Sequence, residues 1–360
     1  MRVGETMQAV VCHGPRDYRL EDVPVPEPGP GEALVRVEAC GICASDLKCF
    51  HGAAKFWGDD SRPAWAETGV IPGHEFVGEV VELDELAADR WGIAVGDRVL
   101  SEQIVPCWKC RYCLRGQYHL CRPHSIYGFK RAHPGGMASY MVYGADALVH
   151  TVSKAIPASH AAFTEPLSCS LHAVQRAGIA FEDVVVVAGC GPIGLGMIAG
   201  ARAKGPAHVV ALDMEEHKLE LARACGADVV VNIAEQDPVA LIESLTDGYG
   251  ADVYLEGTGH PSAVGQGLAA LRKHGTFVEY SVFKDDVTVD WSIISDDKEL
   301  DVLGAHLGPH CWPAAAAMIE SGALPLDRIV THELPVADFK DGLDLVEDGR
   351  SSVKVSLIPA

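Results

Sequence analysis

Cys107, Cys110, Cys113 and Cys121 are separated by two, two and seven residues. Thiolates so tightly spaced suit tetrahedral Zn²⁺ with every coordination position filled, which predicts a structural ion, because a closed shell cannot admit substrate. Four thiolates on Zn²⁺ leave a charge of about −2. Lys109, Arg111, Arg115, Arg122, Lys130 and Arg131 offset it, and no acid falls between residues 107 and 131. An iron–sulfur cluster is the competing occupant, although cluster-binding runs place their cysteines differently and usually end in Cys-Pro.

Three distant segments carry a second set of donors. Cys40-Gly-Ile-Cys43-Ala-Ser45-Asp46 offers a thiolate, Pro72-Gly-His74-Glu75 an imidazole and a carboxylate, and Thr164-Glu165-Pro166-Leu167 a further carboxylate. Each has a plain alternative: a small buried cysteine, a turn histidine, an acid at a helix N-terminus. Their occurrence in one chain with the four-cysteine run and a dinucleotide fingerprint favours a second metal site.

That fingerprint is Gly189-Cys190-Gly191-Pro192-Ile193-Gly194, which follows a run of valines. In such a turn the first glycine permits the bend, the second lets backbone approach a pyrophosphate, and the third lets the helix pack closely, with the anion at the helix N-terminus. Asp213 comes 19 residues after Gly194. A carboxylate there accepts hydrogen bonds from an adenosine ribose and repels a 2′-phosphate, which selects NAD over NADP. Lys218 faces the same ribose or is a solvated helix lysine.

The elements that must position these residues fall into two textures. From Met7 to about Asp146, short alternating segments such as Ala33-Leu-Val-Arg-Val-Glu are broken by Gly and Pro, as expected of strands joined by turns. Val23 to Gly31 reads as an extended surface connection, since proline lacks a donor for a sheet ladder. After about Glu165, apolar strands at Val184–Ala188, Val209–Leu212, Val229–Val231, Val253–Leu255, Thr276–Tyr280 and Asp301–Leu303 alternate with helices at Pro192–Lys204 and Glu215–Cys225 and from about Pro238 and Pro261. This alternation predicts a six-stranded, doubly wound parallel sheet. The tail from His306, ending in the strand-like Ser352-Val-Lys-Val-Ser-Leu-Ile, is expected to return to the first domain. The expected fold is thus α/β: a β-rich domain over 1–165 completed by 306–360, and a dinucleotide-binding domain over 166–305.

The chain has 360 residues, 48% of them hydrophobic, and a formal net charge of −21. Two domains of that size can each bury a core. The negative charge disfavours nucleic acid and anionic membrane surfaces, leaving a small molecule as the expected partner. Met1 to Thr6 lack the apolar run of a signal peptide, no segment approaches a membrane span, and a cytoplasmic location is expected.

Together, Gly-Ile-Cys43-Ala-Ser45-Asp46, Gly73-His74-Glu75, the four-cysteine run, Glu165-Pro-Leu-Ser and the glycine turn with Asp213 resemble the zinc-dependent medium-chain dehydrogenases, in their alcohol and polyol branch, over residues 7 to 360. The resemblance implies a GroES-like catalytic domain, a Rossmann domain, an active site between them, one catalytic and one structural Zn²⁺ per chain, NAD, and a homo-oligomer, dimeric or tetrameric. Cys43 and His74 match the catalytic zinc ligands. Glu165 stands where simple alcohol dehydrogenases have cysteine and the polyol branch has glutamate, and Glu75 resembles an acid that ligates directly in some members and exchanges in others. Asp46 matches the acid that orients the ligating histidine. Ser45 matches the hydroxyl that first takes the substrate proton. The histidine that often follows in the relay is replaced by Lys48, with His51 nearby, and either of these is the candidate for the next step.

The implied reaction is hydride transfer from a secondary hydroxyl to NAD. Glu165 favours a polyol over ethanol. In a segment resembling sorbitol dehydrogenases, Leu307 stands where an arginine helps bind substrate, which points away from hexitols toward a tetritol such as erythritol or threitol. 2,3-Butanediol, sorbitol, threonine and other secondary alcohols are the alternatives, and an inactive NAD- and zinc-binding interaction protein is the reading from another class. Between Cys43 and His74, Phe56, Trp57 and Trp65 are expected either to shape a small pocket or to anchor the loop, and His306 and His310 to face substrate or a partner subunit.

Overall fold

Every residue of Val184–Ala188 is buried, as the central strand of a sheet covered on both faces requires. In the computed structural model, which describes residues 4–360, this strand sits inside a six-stranded sheet. The order is Val229–Asn232, His208–Asp213, Val184–Ala188, Ala251–Glu256, Leu271–Glu279, Asp301–Gly304, and every pairing is parallel. The order reverses at Val184–Ala188, since the next strand in sequence lies on one side and Ala251–Glu256 on the other. A crevice for a ligand opens beyond the carboxyl end of a strand at such a reversal, and the glycine turn occupies that end.

The helix Pro192–Lys204 is buried continuously from Gly194 to Ala201. Its small residues make this possible: a Cβ on Gly200 would stand 2.7 Å from Leu171 Cδ2 on the neighbouring helix Thr164–Ala177. The strand expected from Thr276 begins earlier, at Leu271, because Leu271 already pairs with Ala251 across a register shift.

The largest sheet has seven strands. Ala33–Gly41 pairs antiparallel with Glu75–Leu83, Tyr140–Tyr143 and Lys354–Ile358. Glu75–Leu83 continues to Arg98–Ser101 and Val149–Thr151, and Lys354–Ile358 pairs parallel with Val330–Pro335. Its core gathers Val35, Val37, Phe76, Val80, Tyr143 and Val355. Val23 and Pro24, expected in an extended connection, close the strand Asp17–Pro24 against Met7 and Thr6; Pro24 is the terminal residue of the ladder, where a missing donor does least harm.

The chain divides into two units, Met1–Glu165 with Trp312–Glu320 and Val330–Ala360, and Pro166–Cys311 with Ser321–Ile329. The tail therefore joins the first unit from Trp312 and lends residues 321–329 to the second.

Candidate functional site

Gly41 stands opposite both Glu75 and Ser356 in the ladder of the first unit. This register brings the turn that carries Cys43 beside His74 and the start of the Glu75 strand. Cys43 is the N-cap of the helix Ala44–Phe50. Asp46 Oδ2 accepts the Cys43 amide N–H at 2.9 Å, and its other oxygen lies 3.3 Å from His74 Nδ1. One buried carboxylate thus fixes both the thiol-bearing turn and the imidazole, leaving His74 Nε2 to face inward. Ser45 Oγ lies 3.4 Å from that Nε2.

Donor atoms of Cys43, His74 and Glu75 all lie within 4.8 Å of one another. A thiolate, an imidazole and a carboxylate converging below the surface suit Zn²⁺ with a position left open. The local field favours a cation: burial works against protonation of His74, yet Asp46 and Cys43 hold its pKa well above the ordinary histidine value. Zn²⁺ in the same field would replace that proton. Glu165 lies outside the compact trio. Its carboxylate is buried and accepts Gln103 Nε2 at 2.5 Å.

Lys354, from the tail strand, is the cation that balances this site. It is only 4% exposed, forms an ion pair with Glu75 Oε2, and donates to Ile42 O at 3.0 Å. Burial alone would lower its pKa, but the negative charges of Glu75, Cys43 and Glu165 raise it above the usual lysine value. Packing here is close enough that a Cβ on Gly41 would collide with Glu75 and stand 2.8 Å from Lys354 Cε.

The aromatic residues between Cys43 and His74 serve as anchors, and two of them reach His74 through one intermediary. Phe56 stacks on Phe129 at 5.5 Å and Trp65 packs on it at 5.1 Å, while Phe129 lies 5.4 Å from the His74 ring. Lys130 sits over Trp65 at 5.2 Å. Trp57 donates to Cys49 O at 2.7 Å, whereas Asp59 and Asp60 are exposed.

Helix geometry separates the two relay candidates. Lys48 follows Ser45 by three residues, so both lie on one face of Ala44–Phe50. His51 caps that helix and pairs with Glu347 at 3.1 Å, rotated from Ser45 by roughly 240° about the helix axis.

In the four-cysteine lobe all four sulfurs lie within 4.8 Å of one another. Backbone amides of Cys113 and Arg122 bring Cys110 down to about 6, and the amide of Lys109 heads the causes that lower Cys107. Burial pushes Cys113 up to about 12 and raises Cys121. A divalent cation is what allows all four to be thiolates together, and their close tetrad fits one.

In the second unit, Gly189 adopts φ +88°, and a Cβ on Gly194 would collide with Gly189 O. Nothing lies within 4 Å of where a Cβ on Gly191 would stand, which is the open cradle a pyrophosphate needs. Gly191 is the N-cap of the helix, with Pro192 and Ile193 in its first turn. Asp213 Oδ2 accepts the Cys190 amide at 2.7 Å, and Oδ1 accepts those of Met214 and Glu215 at 2.8 and 3.0 Å. The carboxylate is therefore anchored beside the turn before any cofactor arrives. Lys218 is half-buried, and its charge acts on the Cys190 thiol, which places it near the turn. In the tail, His306 and His310 are exposed, Leu307 is half-buried, and Leu307 and His310 both have positive φ.

Gln103, Phe129 and Lys354 escape sequence reasoning. Only Lys354 leaves a trace, a charge between the valines of an otherwise apolar terminal strand.

Residues 29–154 match the model of the alcohol dehydrogenase GroES-like domain, and residues 192–321 that of the zinc-binding dehydrogenases. The chain is 75% identical to an erythritol/L-threitol dehydrogenase of Mycolicibacterium smegmatis, covering 100% of this chain and 99% of the relative. It is 35% identical to an L-threonine 3-dehydrogenase of Thermococcus kodakarensis, covering 99% of each. Among solved structures, a putative zinc-binding dehydrogenase from Sinorhizobium meliloti bound to NADP is similar with a TM-score of 0.87 and 30% identity, covering 99% of this chain and 100% of that one.

Proposed function

Since the chain belongs to the zinc-binding alcohol dehydrogenase family, whose members transfer hydride to a nicotinamide cofactor, we propose that it oxidises a secondary hydroxyl of a tetritol, erythritol or threitol, to the ketose with NAD. The observation that carries this reading is the 75% identity, over the whole chain, to a dehydrogenase named for these two tetritols.

Cys43, His74 and Glu75 hold the catalytic Zn²⁺ in this reading, with Glu165 beside them, and Cys107, Cys110, Cys113 and Cys121 hold the structural one. Bound zinc supplies a Lewis acid that lowers the pKa of a substrate hydroxyl, and NAD supplies the hydride acceptor. Asp46 keeps the His74 ring oriented. Ser45, beside His74 Nε2, takes the substrate's hydroxyl proton and passes its own onward, with Lys48 on the same helix face as the next group, which as the uncharged amine accepts the proton and releases it to water. Loss of that proton and of the hydride leaves a ketone. The carboxylates of Glu75 and Glu165 offer acceptors for a neighbouring hydroxyl of a polyol, which a simple alcohol lacks.

NAD reduction with glycerol, erythritol, L-threitol, xylitol, sorbitol, 2,3-butanediol and L-threonine, before and after chelation, tests the reading. The tetritols are expected to give the highest kcat/KM, and chelation to abolish turnover. Preference for L-threonine or sorbitol would refute the substrate assignment.

Asp213 sets the cofactor preference, because a 2′-phosphate would meet its anchored charge. Asp213→Asn is expected to shift the NADP-to-NAD ratio of kcat/KM upward by about 100-fold, the scale of a removed like-charge contact. An unchanged ratio would place discrimination elsewhere.

The protein works as a homo-oligomer in the cytoplasm. None of the 12 cysteines is in a disulfide, as a reducing compartment requires, and no helix among the described residues is long and apolar enough to cross a membrane. The basic four-cysteine lobe exposes Trp108, Tyr112 and Leu114, the last at 74%. On a chain of net charge −21 such a patch complements the acidic remainder of a second copy. Leu114→Glu is expected to lower the sedimenting mass, and an unchanged mass would exclude this contact.

A further inference from the structure

Two neighbouring residues, Glu102 and Gln103, link the four-cysteine lobe to the proposed catalytic metal site. They connect the strands Arg98–Ser101 and Ile104–Val105. Here Gln103 Nε2 donates to Glu165 at 2.5 Å, whereas Glu102 Oε1 accepts the Tyr118 hydroxyl at 3.1 Å. Tyr118 stands between Cys113 and Cys121 in the lobe. All four residues are at most 5% exposed, so each bond is made without competing water and its geometry counts.

The linking segment is fixed at both residues. The Glu102 amide donates to Leu148 O at 2.9 Å, and Gln103 O accepts the Tyr127 amide at 2.9 Å. His150 Nε2 lies 3.2 Å from the same Glu102 oxygen, and its ring stacks on Trp312 at 5.9 Å with 10° between the planes. Tyr118, Glu102, Gln103 and Glu165 are therefore joined by fixed contacts rather than by a loose turn.

We propose that Tyr118, Glu102 and Gln103 are positioning residues through which the four-cysteine lobe sets the orientation of Glu165 at the catalytic metal. The lobe thereby acts on the catalytic site as well as on local stability. This inference rests on the reading of Cys43, His74, Glu75 and Glu165 as the surroundings of that metal.

The cobalt-exchanged enzyme tests it, read by the visible absorption bands that disappear in Cys43→Ser and by the rate of cobalt loss to a chelator. Tyr118→Phe removes one hydroxyl and keeps the ring. It is expected to shift those bands and speed cobalt loss by about 10-fold, the lower end of what groups supporting a metal ligand usually contribute, with the thermal midpoint little changed. Gln103→Leu should produce the same shift, and the double variant no more than the larger single change, as expected of residues acting in series. Glu102→Gln retains the acceptor and should stay close to the parent, whereas Glu102→Leu should follow Tyr118→Phe. Parental bands and cobalt-loss rates in both Tyr118→Phe and Glu102→Leu, alongside an altered Gln103→Leu, would overturn the proposal. Strictly additive effects of Tyr118→Phe and Gln103→Leu would overturn it too. If the parent shows no band that depends on Cys43, the metal assignment itself fails and the inference falls with it.

Discussion

Replacing Ser45 by alanine is expected to lower turnover with a tetritol by about 10²–10⁴-fold, the range a positioned proton-transfer group contributes, and to leave NAD affinity unchanged. The reason is geometric. Ser45 Oγ lies 3.4 Å from His74 Nε2, the imidazole nitrogen opposite the one that faces Asp46. Any substrate hydroxyl drawn to a cation among Cys43, His74 and Glu75 arrives next to that serine. The glycine turn and Asp213 belong to the second unit and Ser45 to the first, so fluorescence titration of NAD should report the parental dissociation constant. Ser45→Thr keeps the hydroxyl and should recover much of the rate. Lys48→Ala should slow turnover more than His51→Ala, because only Lys48 shares the helix face of Ser45. Full turnover in Ser45→Ala would eliminate the relay.

Removing the charge of Lys354 should have the largest effect on stability. Lys354→Met is expected to destabilise the chain by about 3–5 kcal/mol, the usual consequence of deleting one partner of a buried ion pair. The loss arises mainly from what remains: Glu75 is 1% exposed, and its carboxylate would be left without its cation next to Cys43. Lys354 also donates to Ile42 O at 3.0 Å, just ahead of the cysteine turn, so the backbone that carries Cys43 loses a donor as well. Denaturant unfolding measured on metal-free protein would show this directly. A shift below about 1 kcal/mol, the range of a solvent-exposed pair, would mean that the pair is not a buried one.

Local chemistry was readable along the chain because each feature depends on residues close in sequence. Val184–Ala188 is a strand since five consecutive buried apolar residues allow little else before Gly189. Pro192–Lys204 is helical with proline in its first turn and glycine at its C-cap, where each residue is favoured. The Cys107–Cys121 run forms its sulfur tetrad within 15 residues. Asp213 was legible as well, because it ends the strand next to the glycine turn and needs only one parallel pairing to arrive there.

The proposed catalytic site was legible only as a set of donor types. Cys43, His74 and Glu75 are brought together by the antiparallel register of Gly41 with Glu75, a long-range pairing that residue types name without placing. Glu165 is a further case: the resemblance implies a carboxylate beside the metal, and the structure adds the buried hydrogen bond that Gln103 donates to it. The aromatic loop had two readings of equal weight until Phe129 proved to lie between Phe56, Trp65 and His74.

Residue order thus determined the two candidate metal-binding compositions and the dinucleotide turn, because these reside in short spacings and donor chemistry, and the class of reaction followed from the family resemblance that they carry. Tertiary structure alone decided that Lys354, 279 residues beyond Glu75 in sequence, becomes its counter-ion, and that Gln103 donates to Glu165. Burial is the physical reason. A lysine or glutamine in isolation is an ordinary polar residue, and only when folding removes water from around an acid does the chain have to provide that acid with a partner.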